Sequence, residues 1–370
     1  MNLAFSAEEQ EIRAEFARFL AAEAPREAAR GAMETEAGLD GSLWRKLAEL
    51  GWTGIAVPER FGGSFMGTGV LCLLAEELGR HFVAVPYAGS VLGVAYALAT
   101  LGDEQGGEMR EPLQALAAGT EIGALVMPDA WSPGTRLSAR GLEGRADAVT
   151  DGLIASRLLT RLGAGDEARI VLADLRGGVV ERVRQKPIDP LRPTAAVTLE
   201  NVPTTVLASG REAERLWRTL CDRYAILLAF EQLGSAEAAL AMAREHALNR
   251  YAFGRAVGSF QAVKHLLADM LVANDLARSN CLFAACVLGG GADDRMPTEA
   301  ACVARIAATE AYRLSARGNI QLHGALGVTW ESDCHLHFRR AQVLGSILGS
   351  PRHWKTLLIE VLRAKRRGAA

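Results

Sequence analysis

The sequence has little net charge. Its 41 lysines and arginines nearly balance 43 aspartates and glutamates, which leaves a formal net charge of −2 at pH 7 across 370 residues. Without a field of one sign, the protein as a whole is not expected to attract nucleic acid or an anionic membrane. We therefore predict neither as a partner, and an anionic ligand would have to be bound by local groups.

Cysteine is scarce and shows no pattern. The six cysteines have no CxxC spacing and no disulfide-like framework: Cys72, Cys221, Cys281, Cys286, Cys302 and Cys334. The amino-terminal segment lacks the basic start and apolar run of a secretory signal, and nowhere do 18 apolar residues follow one another. These absences predict a reduced, cytoplasmic protein that is not exported and does not span a membrane.

Common cofactor and metal motifs are also missing. No Rossmann glycine pattern, P-loop or HExxH motif occurs, and the glycines at 62–63 and 289–291 have the wrong flanking residues for phosphate-binding loops. The sequence therefore argues against the familiar nucleotide-binding loops and zinc-protease sites, and we predict no metal centre.

The pattern of apolar and turn residues changes twice along the chain. Residues 1–120 are predicted to form an α-helical domain, in which Ser6 and Glu9 form a capping box and Phe16 and Leu20 share one helical face. Residues 121–205 contain short apolar runs, such as GALVM, ARIVLADL and AAVTLENV, separated by turn residues. This alternation predicts a small β-domain of antiparallel strands.

Residues 206–370 return to helical text. We predict one long helix over residues 211–250 with a break near Gly234, and further helices over residues 260–287, 298–322 and 350–367. Antiparallel helices of this kind, joined by short turns, make a four-helix up-down bundle. The predicted fold class is therefore α+β, with an N-terminal α-helical domain, a middle β-domain and a C-terminal helical bundle.

Two stretches in the last third of the chain carry a family resemblance. Residues 250–261 fit the pattern R-x-x-F-G-x-x-x-x-x-x-Q, and residues 321–327 fit Q-x-x-G-G-x-G except that Ala325 replaces one glycine. With these motifs in this order and the three-part architecture, the chain resembles the acyl-CoA dehydrogenase family over essentially its whole length.

The resemblance implies an FAD cofactor whose pyrophosphate and adenosine lie across a subunit interface. The residues it assigns to cofactor binding, reaching from the neighbouring protomer, are Arg250, Phe253, Gln261, Gln321 and Gly324. Arginine offers charge-assisted donors to phosphates, glutamine offers amide hydrogen bonds, and glycine lets backbone N–H groups approach a ligand. Taken singly, each residue is better explained by helix capping or solvation, but as a set in this architecture they favour cofactor binding.

The resemblance also reveals a missing base. Dehydrogenation of an acyl-CoA needs a carboxylate that removes the α-proton while the β-hydride passes to the flavin. The glutamate of the commonest subclass falls at Leu348 in this sequence, and that of other subclasses falls at Tyr224. Glu231, about two helical turns after Tyr224, is our best catalytic candidate. A structural interhelical glutamate is an equal alternative, and Asp222 is a third choice.

The middle domain departs from the family as well. Members that hold the flavin ring usually carry Thr-Glu-Pro, then Gly-Ser-Asp, and later a Trp-Ile-Thr strand. This sequence has VMPDAWSP at residues 126–133 and VTDGLI at about residues 149–154. Trp131 and Ser132 either compensate for the missing contacts, or Trp131 is a partly exposed loop aromatic.

Two main hypotheses follow. In the first, the chain is an FAD-dependent acyl-CoA dehydrogenase of lipid or steroid catabolism that forms a homodimer or homotetramer, uses Glu231 as base, and passes electrons to an electron-transfer flavoprotein. In the second, it is a non-catalytic subunit that completes the FAD site of a paralogous partner in a heterotetramer. A third hypothesis keeps the fold but changes the chemistry, for instance to flavin-dependent monooxygenation or nitroalkane oxidation.

Overall fold

The computed structural model describes residues 4–101, 106–290 and 296–368. The α-helices in these residues are α1 (Ala7–Glu23), α2 (Arg26–Met33), α3 (Gly41–Glu49), α4 (Thr68–Arg80), α5 (Tyr96–Leu101), α6 (Arg110–Ala117), α7 (Gly210–Asn249), α8 (Gln261–Gly289), α9 (Met296–His323), α10 (Cys334–Leu344) and α11 (Pro351–Gly368). The strands are β1 (Gly123–Val126), β2 (Arg136–Ser138), β3 (Gly141–Thr150), β4 (Arg157–Leu162), β5 (Arg169–Asp174), β6 (Val179–Gln185), β7 (Thr194–Val202), β8 (Thr204–Ser209), β9 (Tyr251–Ala252) and β10 (Arg255–Ala256).

Contacts divide the chain into two compact units. The helical unit comprises the described parts of Met1–Ala22, Thr68–Phe82 and Ala225–Ala370. The sheet unit comprises the described parts of Glu23–Gly67 and Val83–Tyr224. The boundaries predicted from the sequence, 1–120, 121–205 and 206–370, follow the succession of element types and stay a prediction.

The capping box predicted at the start of α1 is confirmed. The Ser6 N–H donates to Glu9 Oε2 at 2.7 Å, and the Glu9 N–H donates to the Ser6 hydroxyl at 3.2 Å. Phe16 and Leu20 are fully buried. The apolar stripe read from the sequence is therefore the face by which this helix packs.

Helices α4 and α7 cross at two glycines in the helical unit. A Cβ on Gly79 would lie 1.9 Å from the carbonyl oxygen of Glu231, and a Cβ on Gly234 would lie 1.9 Å from that of Glu76. The predicted break near Gly234 is wrong, since α7 continues unbroken over its 40 residues. The glycine is needed there because the backbones approach too closely for any side chain, and not because the helix ends.

The remaining long helices form the predicted bundle. Helix α9 packs against α8, α10 and α11. Its buried positions include several alanines, among them Ala300, Ala304, Ala308 and Ala311. Small side chains at these positions let neighbouring helices approach closely.

Two four-stranded sheets form the core of the sheet unit. Their strand orders are β1-β4-β5-β8 and β2-β3-β7-β6. The predicted β-domain is confirmed, but the expectation of purely antiparallel strands is wrong, because β1 pairs with β4 in parallel. The connection between these two strands includes β2 and β3 of the other sheet, and a connection of that length allows parallel pairing.

Helices α7 and α8 are long and apolar enough, by length and composition alone, to cross a membrane. In α7, 72% of the most apolar window is buried inside the protein, whereas in α8 the buried share is 33%. Core helices of soluble proteins pass the same test, so α7 and α8 are weak support for a membrane span. The exposed apolar side chains of α8 include Leu271, Val272 and Leu276.

Candidate cofactor-binding site

A two-residue turn joins β9 to β10 and presents Phe253 to solvent. Phe253 has a φ of 53° and Gly254 a φ of 78°, both positive as in a type I′ hairpin turn. Phenylalanine rarely adopts this left-handed conformation, and the side chain is 94% exposed. Strained backbone and exposed apolar surface are each typical of binding sites. We therefore interpret the turn as a binding element.

Phe253 lines a groove of about 370 Å³ on the helical unit, together with Phe260, Leu266 and Gln321. The rings of Phe253 and Phe260 meet edge to face with their centroids 6.3 Å apart. The guanidinium of Arg255 lies 4.0 Å from the centroid of the Phe260 ring. Aromatic walls with a cation and an amide beside them suit a planar ligand that carries polar substituents.

The other predicted cofactor residues adjoin this groove along the chain without lining it. Arg250 follows the last turn of α7, where its N–H donates to the His246 carbonyl at 2.8 Å. Gln261 is the first residue of α8. Gly324 follows α9 with a φ of 60° and with open space where a Cβ would lie. The structure thus brings Phe253 and Gln321 into one groove and leaves Arg250, Gln261 and Gly324 on the surface that flanks it in sequence.

Three of the predicted cofactor residues carry polar side chains that the described part of the fold does not use. Within the described ranges, Arg250, Gln261 and Gln321 are exposed and their side chains make no hydrogen bond or ion pair. A guanidinium and two amides, all unused by the fold, form a donor set that suits the two phosphates of a dinucleotide. The residues present therefore fit the nucleotide part of FAD.

The sheet unit differs from the sequence prediction at the place assigned to the flavin ring. Strand β3 ends at Thr150, and Asp151 adopts a φ of 59° that begins a turn. Of the residues 149–154 that were compared with the family's Trp-Ile-Thr strand, only Val149 and Thr150 lie in a strand, and the other four form a turn. The parallel neighbour of β1 is β4, which pairs Thr160 with Val126.

Thr160 is fully buried and uses its hydroxyl inside the protein. This hydroxyl donates to the Val126 carbonyl at 2.8 Å and accepts from Trp131 Nε1 at 2.9 Å. Trp131 is half-buried and also forms a bridge with Ala146. Both donors are engaged by the fold, so Trp131 is a structural group and neither side chain has a proton left to donate to a ligand.

The two positions compared with family glutamates are buried and carry no carboxylate. Leu348 is 5% exposed and has a φ of 62°, directly before Gly349 with a φ of 118°. Tyr224 is also buried, and its ring lies 3.6 Å from the position of a Cβ on Gly93. An aliphatic side chain and a phenol cannot serve as the carboxylate base that removes an α-proton at neutral pH.

Glu231 is 1% exposed and lies in α7 at the crossing with α4. It is not among the residues that line the groove at Phe253. Its burial fits either a base held away from water or an interhelical glutamate. Its catalytic role therefore stays a prediction.

A buried arginine holds the segment that contains Leu348. The guanidinium of Arg305 in α9 donates to the carbonyl oxygens of Leu344 at 2.7 Å and Ile347 at 3.0 Å, and to Gln232 Oε1 at 2.5 Å. Arg305 does not stand out in the sequence, because one arginine within an alanine-rich helix is usually a solvated residue. The backbone around Leu348 is fixed by contacts that do not involve the Leu348 side chain.

Two histidines that the sequence analysis did not single out lie beside predicted residues. His246, in the last turn of α7, and His323, the last residue of α9, stack with ring centroids 3.9 Å apart and an interplanar angle of 27°. Burial first, and then the charges of His323 and Arg250, lower the pKa of His246. A signal was present, since His323 lies between Gln321 and Gly324 in the second motif.

The sequence matches two family descriptions. Residues 6–119 match "Acyl-CoA dehydrogenase, N-terminal domain", and residues 218–351 match "Acyl-CoA dehydrogenase, C-terminal domain". The chain is also 34% identical over 349 residues to acyl-CoA dehydrogenase IpdE2 of Mycobacterium tuberculosis, which covers 93% of this chain and 94% of that protein.

Solved structures agree with these matches. A variant of the Tcur3481-Tcur3483 steroid ACAD superposes with a TM-score of 0.85 at 26% identity, over 97% of this chain and 99% of that one. A chain of the ChsE4-ChsE5 complex from Mycobacterium tuberculosis has the same fold, with a TM-score of 0.85 at 24% identity over 98% of this chain and 99% of that one. The chain belongs to the acyl-CoA dehydrogenase family, whose cofactor is FAD.

Proposed function

We propose that this chain is a subunit of an FAD-dependent acyl-CoA dehydrogenase and that it completes the flavin site of a paralogous partner, which supplies the catalytic carboxylate. The observation that carries the proposal is a contrast. Within the described part of the chain, the side chains of Arg250, Gln261 and Gln321 are exposed and make no hydrogen bond or ion pair. The buried Leu348, in contrast, stands where the family resemblance would place the catalytic glutamate.

Each of the preserved groups has a task toward the nucleotide. FAD supplies the acceptor for the hydride that leaves the β-carbon of the acyl thioester. Arg250 would neutralise phosphate charge, and the amides of Gln261 and Gln321 would orient the phosphates and adjoining hydroxyls. Phe253 would cover an adenine or ribose face and keep water from it. The α-proton would go to a carboxylate of the partner.

Exposed apolar side chains support assembly with another subunit. Besides Phe253, the helical unit exposes Tyr251, Leu326, Val328 and Trp330 by half or more of their surface. Large exposed aromatic and aliphatic groups are typical of subunit interfaces. The solved structure of the Tcur3481-Tcur3483 steroid ACAD is named after two proteins and after a steroid substrate class. This supports a mixed assembly and an acyl-CoA substrate with a steroid or other lipid acyl group.

The same proposal places the protein in the cytoplasm, with an electron-transfer flavoprotein as the acceptor of electrons from the reduced flavin. The test compares the chain purified alone with the chain co-expressed with a paralogous acyl-CoA dehydrogenase subunit from the same genome. We expect a colourless preparation in the first case. In the second we expect a flavin spectrum that bleaches under anaerobic conditions with a steroid or lipid acyl-CoA. Yellow protein from the chain alone that bleaches with an acyl-CoA would overturn the proposal.

The second candidate function is dehydrogenation by this chain itself with Glu231 as base. The observation in its favour is the burial of Glu231, which is 1% exposed and lies in α7 between the buried Phe230 and Gln232. If the chain alone were yellow, Glu231→Gln should leave flavin bound and abolish bleaching. Glu245→Gln, an exposed position on the same helix, is the matched control and should bleach normally.

A further inference from the structure

The stacked pair of His246 and His323 is built into the surface that carries the predicted cofactor residues. Arg250 lies four residues after His246 and continues its helical hydrogen-bond pattern, with Arg250 N–H bonded to the His246 carbonyl at 2.8 Å. Residues four apart on a helix share one face. Gln321 and Gly324 flank His323 along the chain. Both imidazoles are half-buried, so the pair is reachable from outside.

The hydrogen bonds of His323 define which of its nitrogens can meet a ligand. His323 Nδ1 lies 2.9 Å from the carbonyl oxygen of Asn319, and because a carbonyl only accepts, Nδ1 carries a proton. In the neutral ring Nε2 is then an acceptor and cannot donate to a phosphate oxygen. Protonation converts Nε2 into a charged donor.

The charges around the pair oppose protonation when no anion is present. Those that bear on His246 are His323 from α9 and Arg250 from the end of its own helix, and together with burial they lower its pKa. Two rings 3.9 Å apart also repel each other when both are charged, so the pair accepts one proton at a time. An anion bound between Arg250 and the two histidines would instead favour protonation of the histidines, because a nearby negative charge stabilises the charged form of the imidazole.

We propose that His246 and His323 form a proton-accepting part of the site for the diphosphate of the flavin nucleotide, and that the pair takes up one proton when the diphosphate binds. The inference rests on the proposed nucleotide-binding function and deepens it. Arg250 supplies a permanent charge, and the histidine pair supplies a second charge that depends on pH. Binding of the diphosphate is then tighter below the titration midpoint of the pair than above it.

The test is a histidine NMR titration of the full-length chain between about pH 5 and 8, with and without saturating inorganic pyrophosphate. His246→Phe and His323→Phe assign the two signals and keep an aromatic ring at each position. We expect pyrophosphate to raise the midpoint of the pair by about one pH unit or more, equivalent to about tenfold tighter binding at low pH. The exposed His353 on α11 is an internal control whose midpoint should move less. An unchanged midpoint for His246 and His323 would overturn the inference.

A second arm separates this inference from the proposed function. The double variant His246→Phe/His323→Phe should lose the tightening of pyrophosphate binding at low pH and keep only the pH dependence that comes from the ionisation of pyrophosphate itself. Arg250→Gln should bind pyrophosphate more weakly at every pH. If the flavin-loaded complex keeps its pH dependence in the double variant, the histidine inference fails and the subunit function stands. If flavin occupancy of the complex does not depend on Arg250 at all, the proposed function itself fails.

Discussion

The surface around the groove at Phe253 and the interior around Thr160 differ in whether their polar side chains are hydrogen-bonded within the protein. At the groove and on the surface beside it, the side chains of Arg250, Gln261 and Gln321 make no hydrogen bond or ion pair within the described residues, and Phe253 is 94% exposed. Around Thr160, the indole N–H of Trp131 donates to the Thr160 hydroxyl, and this hydroxyl donates to the Val126 carbonyl. A group can serve a ligand only if the fold does not already use it, since an unmade hydrogen bond on a buried group is costly. The first region is therefore suited to binding and the second to stability.

The largest effect is expected at Arg250. In the co-purified complex, Arg250→Ala should weaken flavin retention by about 3 kcal/mol, or roughly 100-fold, because a charge-assisted hydrogen bond to phosphate is lost. The stability of the chain alone should change little, since the side chain has no partner in the described protein. Flavin release measured by fluorescence, beside the exposed control Arg363→Ala, checks the prediction. Equal flavin loss in both variants would contradict it.

The next effect concerns Asp151, a buried carboxyl of the sheet unit. Burial raises its pKa to about 6, and Arg192 only partly offsets this. As pH rises from about 4 to 6 the unfolded chain gives up this proton before the folded chain does, so ionisation lowers stability over that window and above it. Asp151→Asn should therefore stabilise the protein by up to about 3 kcal/mol at pH 7 and by very little near pH 4.

Denaturant unfolding at the two pH values measures this difference. Asparagine tolerates the left-handed backbone of this position, so the substitution adds no strain. Asp147→Asn, an exposed position on β3, is the control and should have little effect at either pH. A stabilisation of Asp151→Asn that is equal at both pH values would show that charge is not its cause.

A smaller effect is expected at Thr160. Thr160→Val keeps the shape of the side chain but removes the hydroxyl, so Trp131 loses its acceptor, and stability should fall by about 1 kcal/mol. Flavin retention in the complex should be unchanged, the reverse of the result at Arg250. Thr204→Val on β8, whose hydroxyl bonds only to the nearby Val202 carbonyl, is a milder comparison. Loss of flavin in Thr160→Val would sink the distinction between the two regions.

The smallest effect is expected at Phe253. Phe253→Asn creates Asn-Gly, the pair that type I′ turns favour, so the chain alone should gain about 0.5 kcal/mol of stability. Flavin retention should fall because the aromatic face is lost. Phe253→Tyr keeps both the ring and the strain, and should leave stability and retention nearly unchanged. Thermal unfolding and flavin release, measured on the same preparations, decide between a binding role and a merely tolerated outlier.

Local chemistry explains why several elements could be predicted. The capping box at Ser6 and Glu9 depends on residues that lie only three apart in the sequence. The predicted cofactor residues come from two motifs that are each contiguous in the sequence. Interactions of this range are visible before the chain folds.

Contacts between segments that are distant in the sequence explain why other features were not predicted. Gly234 was expected to break α7, but the carbonyl of Glu76 that requires a glycine lies in another part of the sequence. The parallel pairing of β1 with β4 and the bond from Trp131 to Thr160 likewise join separate segments. The stacking of His246 on His323 depends on two helices ending side by side. Residue type alone indicates none of these partners.

The backbone contacts of Arg305 bear on which side chains residue 348 can carry. The Arg305 guanidinium donates to the carbonyl oxygens of Leu344 and Ile347. The backbone next to residue 348 is therefore held by contacts that do not involve the side chain of residue 348. Its φ of 62° costs a glutamate the same as a leucine, because the penalty arises at Cβ. The backbone at residue 348 therefore accepts a leucine or a glutamate with the same strain, and the contacts of Arg305 do not dictate which side chain stands there.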